Sequence, residues 1–74
     1  MNLYVIAMAC LVHGSCHSGY FLVGNPALVN CEQDLLPMIE GRQSRDKAGN
    51  TVIWHAQGCV QSKSPPHGEM LGMF

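Results

Sequence analysis

The sequence predicts a small α+β mini-domain, stabilised by a disulfide, that follows an apolar N-terminal segment. The chain has 74 residues, which is near the lower limit for a self-sufficient core. It contains four cysteines, and small domains often use disulfides to supplement their cores. Short apolar runs separated by Gly, Pro and polar turns predict a short strand, a kinked helix, and a strand or hairpin.

The most apolar stretch is the N-terminal run over residues 3–12, which carries no charge. Its length and the small residues after it predict a signal peptide over residues 1–18, with cleavage before Gly19. The start of the chain lacks the Lys or Arg that is typical of such peptides. Two alternatives stay open: a core element of an intracellular protein, and a membrane helix over residues 3–23.

The predicted domain covers residues 19–61 and begins with a strand and a helix. Residues 20–23 read Tyr-Phe-Leu-Val, which predicts a short strand. Asn25 and Pro26 are the residue types favoured at a helix N-cap and at the first helical position. Apolar residues at helical spacing then place Cys31 on the buried face of the predicted helix.

A proline within this helix predicts a kink. Pro37 has no N–H to donate, and its ring would clash with the carbonyl group of Gln33. We therefore expect the helix to end or bend by Leu36.

The second half of the predicted domain is a polar loop followed by a strand. Residues 42–50 are the most polar stretch, and residues 47–50 have turn chemistry. Residues 51–55 are rich in β-branched and aromatic types, which predicts a strand that ends at Gln57 and Gly58. Residues 62–74 are rich in Ser, Pro, Gly and Met without periodicity, which predicts a flexible tail.

The cysteine positions predict one disulfide in the mature domain, between Cys31 and Cys59. One lies on the predicted helix and the other lies just beyond the predicted strand, so a bridge would join the two elements. Free buried thiols in a reducing compartment are the alternative.

Two cysteines and two histidines near the N-terminus form an alternative metal site. The residues are Cys10, His13, Cys16 and His17. Their side chains suit zinc or copper. Their spacing matches no common pair of zinc knuckles, so we predict no metal and no other cofactor.

Charge and size favour a binding protein over a nucleic-acid-binding protein or an enzyme. Four Lys and Arg residues against five Asp and Glu residues give a net charge of −1, without a basic stripe for phosphates. A chain this small has little room for an enclosed catalytic pocket. We predict a small secreted ligand, effector or inhibitor that contacts a protein partner without catalysis. The candidate contacts are Trp54, Arg42, Arg45, Lys47, Tyr20 and Phe21.

Three other interpretations stay open at this point. The first is a small membrane-anchored subunit that retains its N-terminal segment and packs against larger partners. The second is an intracellular protein that binds metal through cysteine and histidine. The third is a chain without a unique fold, which the conflict at Pro37 and the unpatterned tail favour.

Overall fold

The computed structural model of the protein describes residues 1–74 and is mostly β, with 51% strand and 12% helix. The prediction of an α+β domain is wrong, because the N-terminal run and the tail both form strands. The five strands are β1 (Asn2–Leu11), β2 (Cys16–Val23), β3 (Gln43–Arg45), β4 (Thr51–Ser62) and β5 (Glu69–Met73). They form one curled sheet in the order β3-β4-β1-β2-β5.

The sheet is built around β1, which pairs antiparallel with β2 on one side and with β4 on the other. A central strand that is covered on both faces reads as a continuous apolar run, which explains the composition of residues 3–12. Val5 and Ala7 have no exposed surface, and Tyr4 is buried on the opposite face. The cleavage before Gly19 that the sequence predicts would remove this strand from the sheet.

Residues 3–23 fold as a hairpin, not as the single helix that the membrane alternative requires. A tight turn joins β1 to β2, with the Leu11 N–H donating to the Ser15 carbonyl oxygen at 3.1 Å. Cys10 and Cys16 lie opposite each other at the end of the hairpin and form a disulfide. No helix in the structure is long and apolar enough to cross a membrane.

The helical segment consists of a π-helical turn, Cys31–Leu35, that continues into the helix α1, Leu36–Ile39. It begins later than the predicted N-cap at Asn25, because Asn30 caps it instead. The Asn30 side chain accepts a hydrogen bond from the Gln33 N–H. The Asn30 N–H donates to the Asp34 carboxylate at 2.9 Å, so the cap is reciprocal.

The structure has a π-helical turn where the sequence predicts a kinked α-helix. The Leu36 N–H donates to the carbonyl oxygen of Cys31 across five residues, and α1 starts at that point. Pro37 therefore lies in the first turn of α1. A proline is tolerated there because its missing N–H would have no helical partner.

A β-bulge in β4 allows a disulfide to join the sheet to the helical segment. Ile6 pairs with Gly58 but Ala7 pairs with Ala56, so the intervening Gln57 is the extra residue of the bulge. The predicted break at Gln57 and Gly58 is thus a bulge within a longer strand. Because side chains alternate between faces, the extra residue moves Cys59 to the face covered by the helical segment. The structure contains the predicted bridge between Cys59 and Cys31.

The C-terminal residues form β5, where the composition predicts a flexible tail. β5 runs parallel to β2 and starts where Glu69 pairs with Gly19. A Cβ atom at Gly19 would lie 2.5 Å from the Glu69 carbonyl oxygen, so glycine is required for this close approach. The register shifts between Tyr20 and Phe21, which removes the regular alternation that would identify a strand.

The core lies between one face of the sheet and the helical segment. The segment has nine residues and spans roughly 14 Å at 1.5 Å per residue, whereas the longest dimension of the molecule is 36 Å. It therefore covers only part of this face and leaves the rest open. The buried residues that meet in the core are Leu3, Val5, Ala7, Val23, Cys31, Leu35 and Ile39.

We expect the two disulfides to contribute unequally to stability, because they close loops of different length. The residues of the Cys31–Cys59 bridge are 28 apart and those of the Cys10–Cys16 bridge are 6 apart. Loop entropy predicts losses of about 3.5 and about 2 kcal/mol on replacing each pair with serine. Chemical denaturation of the Cys10→Ser/Cys16→Ser double variant and of Cys31→Ser, Cys59→Ser and their double variant measures both effects. Additive losses from the two single variants would contradict a bridge.

We expect Val5→Ala to lower the free energy of unfolding by about 2 kcal/mol, because it leaves a cavity at the fully buried centre of β1. Val12→Ala is the matched control, since Val12 is 48% exposed in the hairpin turn. Urea denaturation of both variants gives the comparison. Equal losses at the two positions would contradict the central place of β1.

Candidate functional site

Three aromatic side chains meet on the part of the covered face that the helical segment leaves open. The Phe21 ring centroid lies 5.7 Å from that of Trp54 and 5.0 Å from that of Phe74. Phe21 belongs to β2 and Trp54 to β4, the two strands that flank β1. The β1 residue that lies between the two rings is Ala7, whose side chain is only a methyl group. Two backbone hydrogen bonds hold Phe74 beside β2, one to Leu22 and one from Gly24.

These rings form one wall of an open groove of about 220 Å³, which we call the aromatic groove. Its lining is mostly apolar, and its polar groups lie at the β3 side. A depression of 440 Å³ beside the Cys31–Cys59 bridge is larger but has mostly polar walls. The lining residues of the aromatic groove are Phe21, Ile39, Arg42, Ser44, Trp54 and Phe74.

The indole of Trp54 is fixed by hydrogen bonds to the neighbouring strand. Its Nε1–H donates to the Ser44 hydroxyl oxygen at 2.9 Å. The Trp54 backbone N–H donates to the Arg42 carbonyl oxygen, and the Gly41 N–H donates to the Trp54 carbonyl oxygen, both at 2.8 Å. The Arg42 guanidinium makes no ion pair or hydrogen bond within the chain. A cation is therefore free at the rim of an apolar groove.

The end of β3 and the turn that follows it carry further positive charge. Arg45 is an exposed residue whose Nη1 donates to the Gly49 carbonyl oxygen, and Lys47 is also exposed. The acid in this turn, Asp46, holds the turn together, because its carboxylate accepts hydrogen bonds from the N–H groups of Asn50 and Ala48. These bonds, of which that from Asn50 is the strongest, hold the pKa of Asp46 below its usual range.

A carboxylate joins the end of α1 to the bulge in β4. Glu40 Oε2 accepts from the Ala56 N–H at 2.7 Å, and Oε1 lies 3.2 Å from His55 Nδ1. The bond from Ala56, followed by the contact with His55, lowers the pKa of Glu40. Ile39, the residue before Glu40, lines the aromatic groove, so the contacts of Glu40 with β4 also hold Ile39 in place.

The structure brings together three of the six predicted contact residues. Phe21, Trp54 and Arg42 line the aromatic groove, Arg45 ends β3, and Lys47 lies in the turn that follows. The sixth, Tyr20, points to the opposite face and packs edge-on against Tyr4, with ring centroids 5.5 Å apart. Their roles in binding stay predictions.

No known protein family, curated protein or solved structure matches this chain.

The alternative metal site near the N-terminus is absent in this fold. Cys10 and Cys16 are joined to each other in the hairpin disulfide, so neither offers a thiolate. His13 and His17 are exposed, and no group of three His, Cys, Asp or Glu side chains is placed to hold a metal ion.

Four residues around the aromatic groove are not among the contact residues predicted from the sequence. Ser44 lies ten residues before Trp54, and the turn chemistry over residues 47–50 could have indicated a hairpin that joins them. Ile39 was identifiable only as an apolar helical position. Glu40 and Phe74 gave no signal, because their partners His55 and Phe21 are distant in the sequence.

We expect Glu40→Gln to weaken the stability of the protein and to change its pH dependence. The folded-state pKa of Glu40 is lowered, so its contribution is complete above the ordinary glutamate pKa of about 4.3. The contribution is lost as pH falls from there through the lowered pKa. Thermal unfolding between neutral and acidic pH should show a smaller acid-induced loss in the variant than in the wild type.

The matched control is Glu69→Gln, because the Glu69 side chain is exposed on β5 and makes no hydrogen bond. It should retain the wild-type pH dependence. An unchanged pH profile in Glu40→Gln would show that the contact between α1 and β4 contributes nothing to folding.

Proposed function

We propose that the protein is a small binding protein that recognises a protein partner through the aromatic groove, without catalysis. The observation that carries the proposal is the open, mostly apolar groove with the free Arg42 guanidinium at its rim. Exposed apolar surface next to unpaired charge is typical of interaction sites. Trp and Arg are also the residue types most enriched among the energetically dominant contacts of interfaces.

The size of the groove supports recognition of a side chain. Its volume of 220 Å³ is below the roughly 300–1,000 Å³ of sites for drug-sized ligands and cofactors. One aromatic or branched aliphatic side chain is of suitable size. The fixed orientation of the Trp54 indole reduces the entropy lost on binding.

The acid–base pair in this region favours a structural role over a catalytic one. Glu40 and His55 are 54% and 43% exposed, so water competes for both groups. Glu40 also accepts the Ala56 N–H, which commits one carboxylate oxygen to holding the fold. This supports binding without chemistry.

The two disulfides are compatible with an extracellular location, and we propose that the protein acts in an oxidising environment, as a secreted ligand, effector or inhibitor. The groove requires β1, because Phe21 and Trp54 lie on the strands that flank it. We therefore propose that residues 1–18 are present in the active form.

Selection from a random peptide library tests the proposal. We expect selected peptides to share an apolar residue and to shift the fluorescence of Trp54, the only tryptophan of the chain. Ser44→Phe should fill the groove and weaken their binding by roughly tenfold, or about 1.4 kcal/mol. Gln57→Phe is the control, because Gln57 is exposed at the bulge and does not line the groove.

Thermal unfolding first establishes that both variants are folded. Peptides that bind Ser44→Phe as tightly as the wild type would overturn the groove as the binding site. A selection that gives no peptide able to shift Trp54 fluorescence would overturn the proposed function itself.

A further inference from the structure

We propose that the partner presents an extended acidic segment that adds to the sheet as a further strand beside β3 and places an apolar side chain in the aromatic groove. This inference rests on the proposed function and specifies the chemistry of the partner. Strand addition at a free sheet edge is a recurring mode of peptide recognition, in which backbone hydrogen bonds supply affinity and pockets supply specificity.

The outer edge of β3 has unpaired backbone groups. β3 is the last strand of the sheet on its side, and all three of its residues are exposed. The Trp54 N–H donates to the Arg42 carbonyl oxygen, and the Asp46 N–H donates to that of Asn50, so even-numbered residues bond inward to β4. Because the direction alternates along an antiparallel strand, Gln43 and Arg45 direct their N–H and C=O groups outward.

A side chain on the added strand can reach the groove across β3. Phe21 and Trp54 already make such a contact across β1, because the intervening Ala7 is small. Strands are about 4.8 Å apart, so a strand beside β3 lies as far from β4 as β2 does. Ser44 is the small residue on β3 that faces the groove, and an aromatic side chain can pass over it to reach Trp54.

The charges around this edge select an acidic segment. Arg42, Arg45 and Lys47 are three of the four Lys and Arg residues of the chain, and they outnumber the two carboxylates of this region, Glu40 and Asp46, which both accept hydrogen bonds within the chain. The opposite edge of the sheet, β5, is also free but carries Glu69 and no basic residue. An acidic segment is therefore attracted to β3 and repelled from β5.

The probe is an acetylated and amidated heptapeptide of sequence Thr-Glu-Thr-Phe-Thr-Glu-Thr. In a strand, its phenylalanine and both glutamates share one face, which places the ring at the groove and the carboxylates near Arg42. Binding is followed by the fluorescence of Trp54 in the full-length oxidised protein. We expect saturable binding that weakens as the salt concentration rises.

Two peptides with N-methyl groups test strand addition directly. One is methylated on the phenylalanine and glutamates, and the other on the threonines. Only alternate N–H groups of an added strand face β3, so one peptide should lose more than roughly tenfold in affinity and the other should bind like the parent. Equal binding by both methylated peptides would overturn strand addition.

Charge reversal tests the acidic character of the partner. We expect Arg42→Glu to weaken binding by roughly tenfold, and Lys63→Gln, at the one basic residue outside this region, to leave it unchanged. A peptide with lysine in place of both glutamates tests the same point without altering the protein. Binding that is insensitive to both reversals would overturn the acidic partner.

Failure of this inference is distinguishable from failure of the proposed function. The heptapeptide probe could fail to bind while the library peptides still bind in the aromatic groove. That result would overturn addition of an acidic strand and leave the proposed binding function in place. Absence of any groove-dependent peptide would overturn both.

Discussion

The pairing of β1 with strands on both sides is the constraint on which the rest of the structure depends. β1 supplies the fully buried Val5 and Ala7, and it separates β2 from β4 by the distance that lets Phe21 and Trp54 touch. The hairpin disulfide fixes one side of this pairing. On the other side, the bulge at Gln57 turns Cys59 toward the helical segment. One cross-link therefore holds β1 against β2, and the other holds the helical segment against β4.

The core and the candidate binding site are two parts of one sheet face. The helical segment is short because Asn30 starts it late and it ends at Ile39, so it covers only part of the face. Beside the helical segment, aromatic rings cover the sheet incompletely and leave the aromatic groove. A longer helix would bury more apolar surface, which would add stability but would fill the space proposed for a partner.

Local chemistry predicted individual elements, whereas the fold class depended on pairing between distant residues. The strand around Trp54 and the bridge between Cys31 and Cys59 follow from β-branched residues and from cysteine positions. The fold class was wrong because an uncharged apolar run is equally typical of a signal peptide and of a central strand. β5 was missed because its pairing requires Gly19, some fifty residues earlier, and its own composition has no strand pattern.

The central position of β1 has a consequence for synthesis. β1 is made before the strands that pair with it, and its partner β4 is complete only when Ser62 has been added, about fifty residues after Leu11. At roughly 5–20 residues per second, the growing chain spends some 3–10 s with its most apolar strand paired on one side at most. The β1–β2 hairpin closes locally, and it is the only sheet pairing available until the β4 residues that pair with β3 have been made. The central strand of this sheet is therefore synthesised before both edge strands, β3 and β5. The nascent chain depends on early closure of the β1–β2 hairpin to limit aggregation.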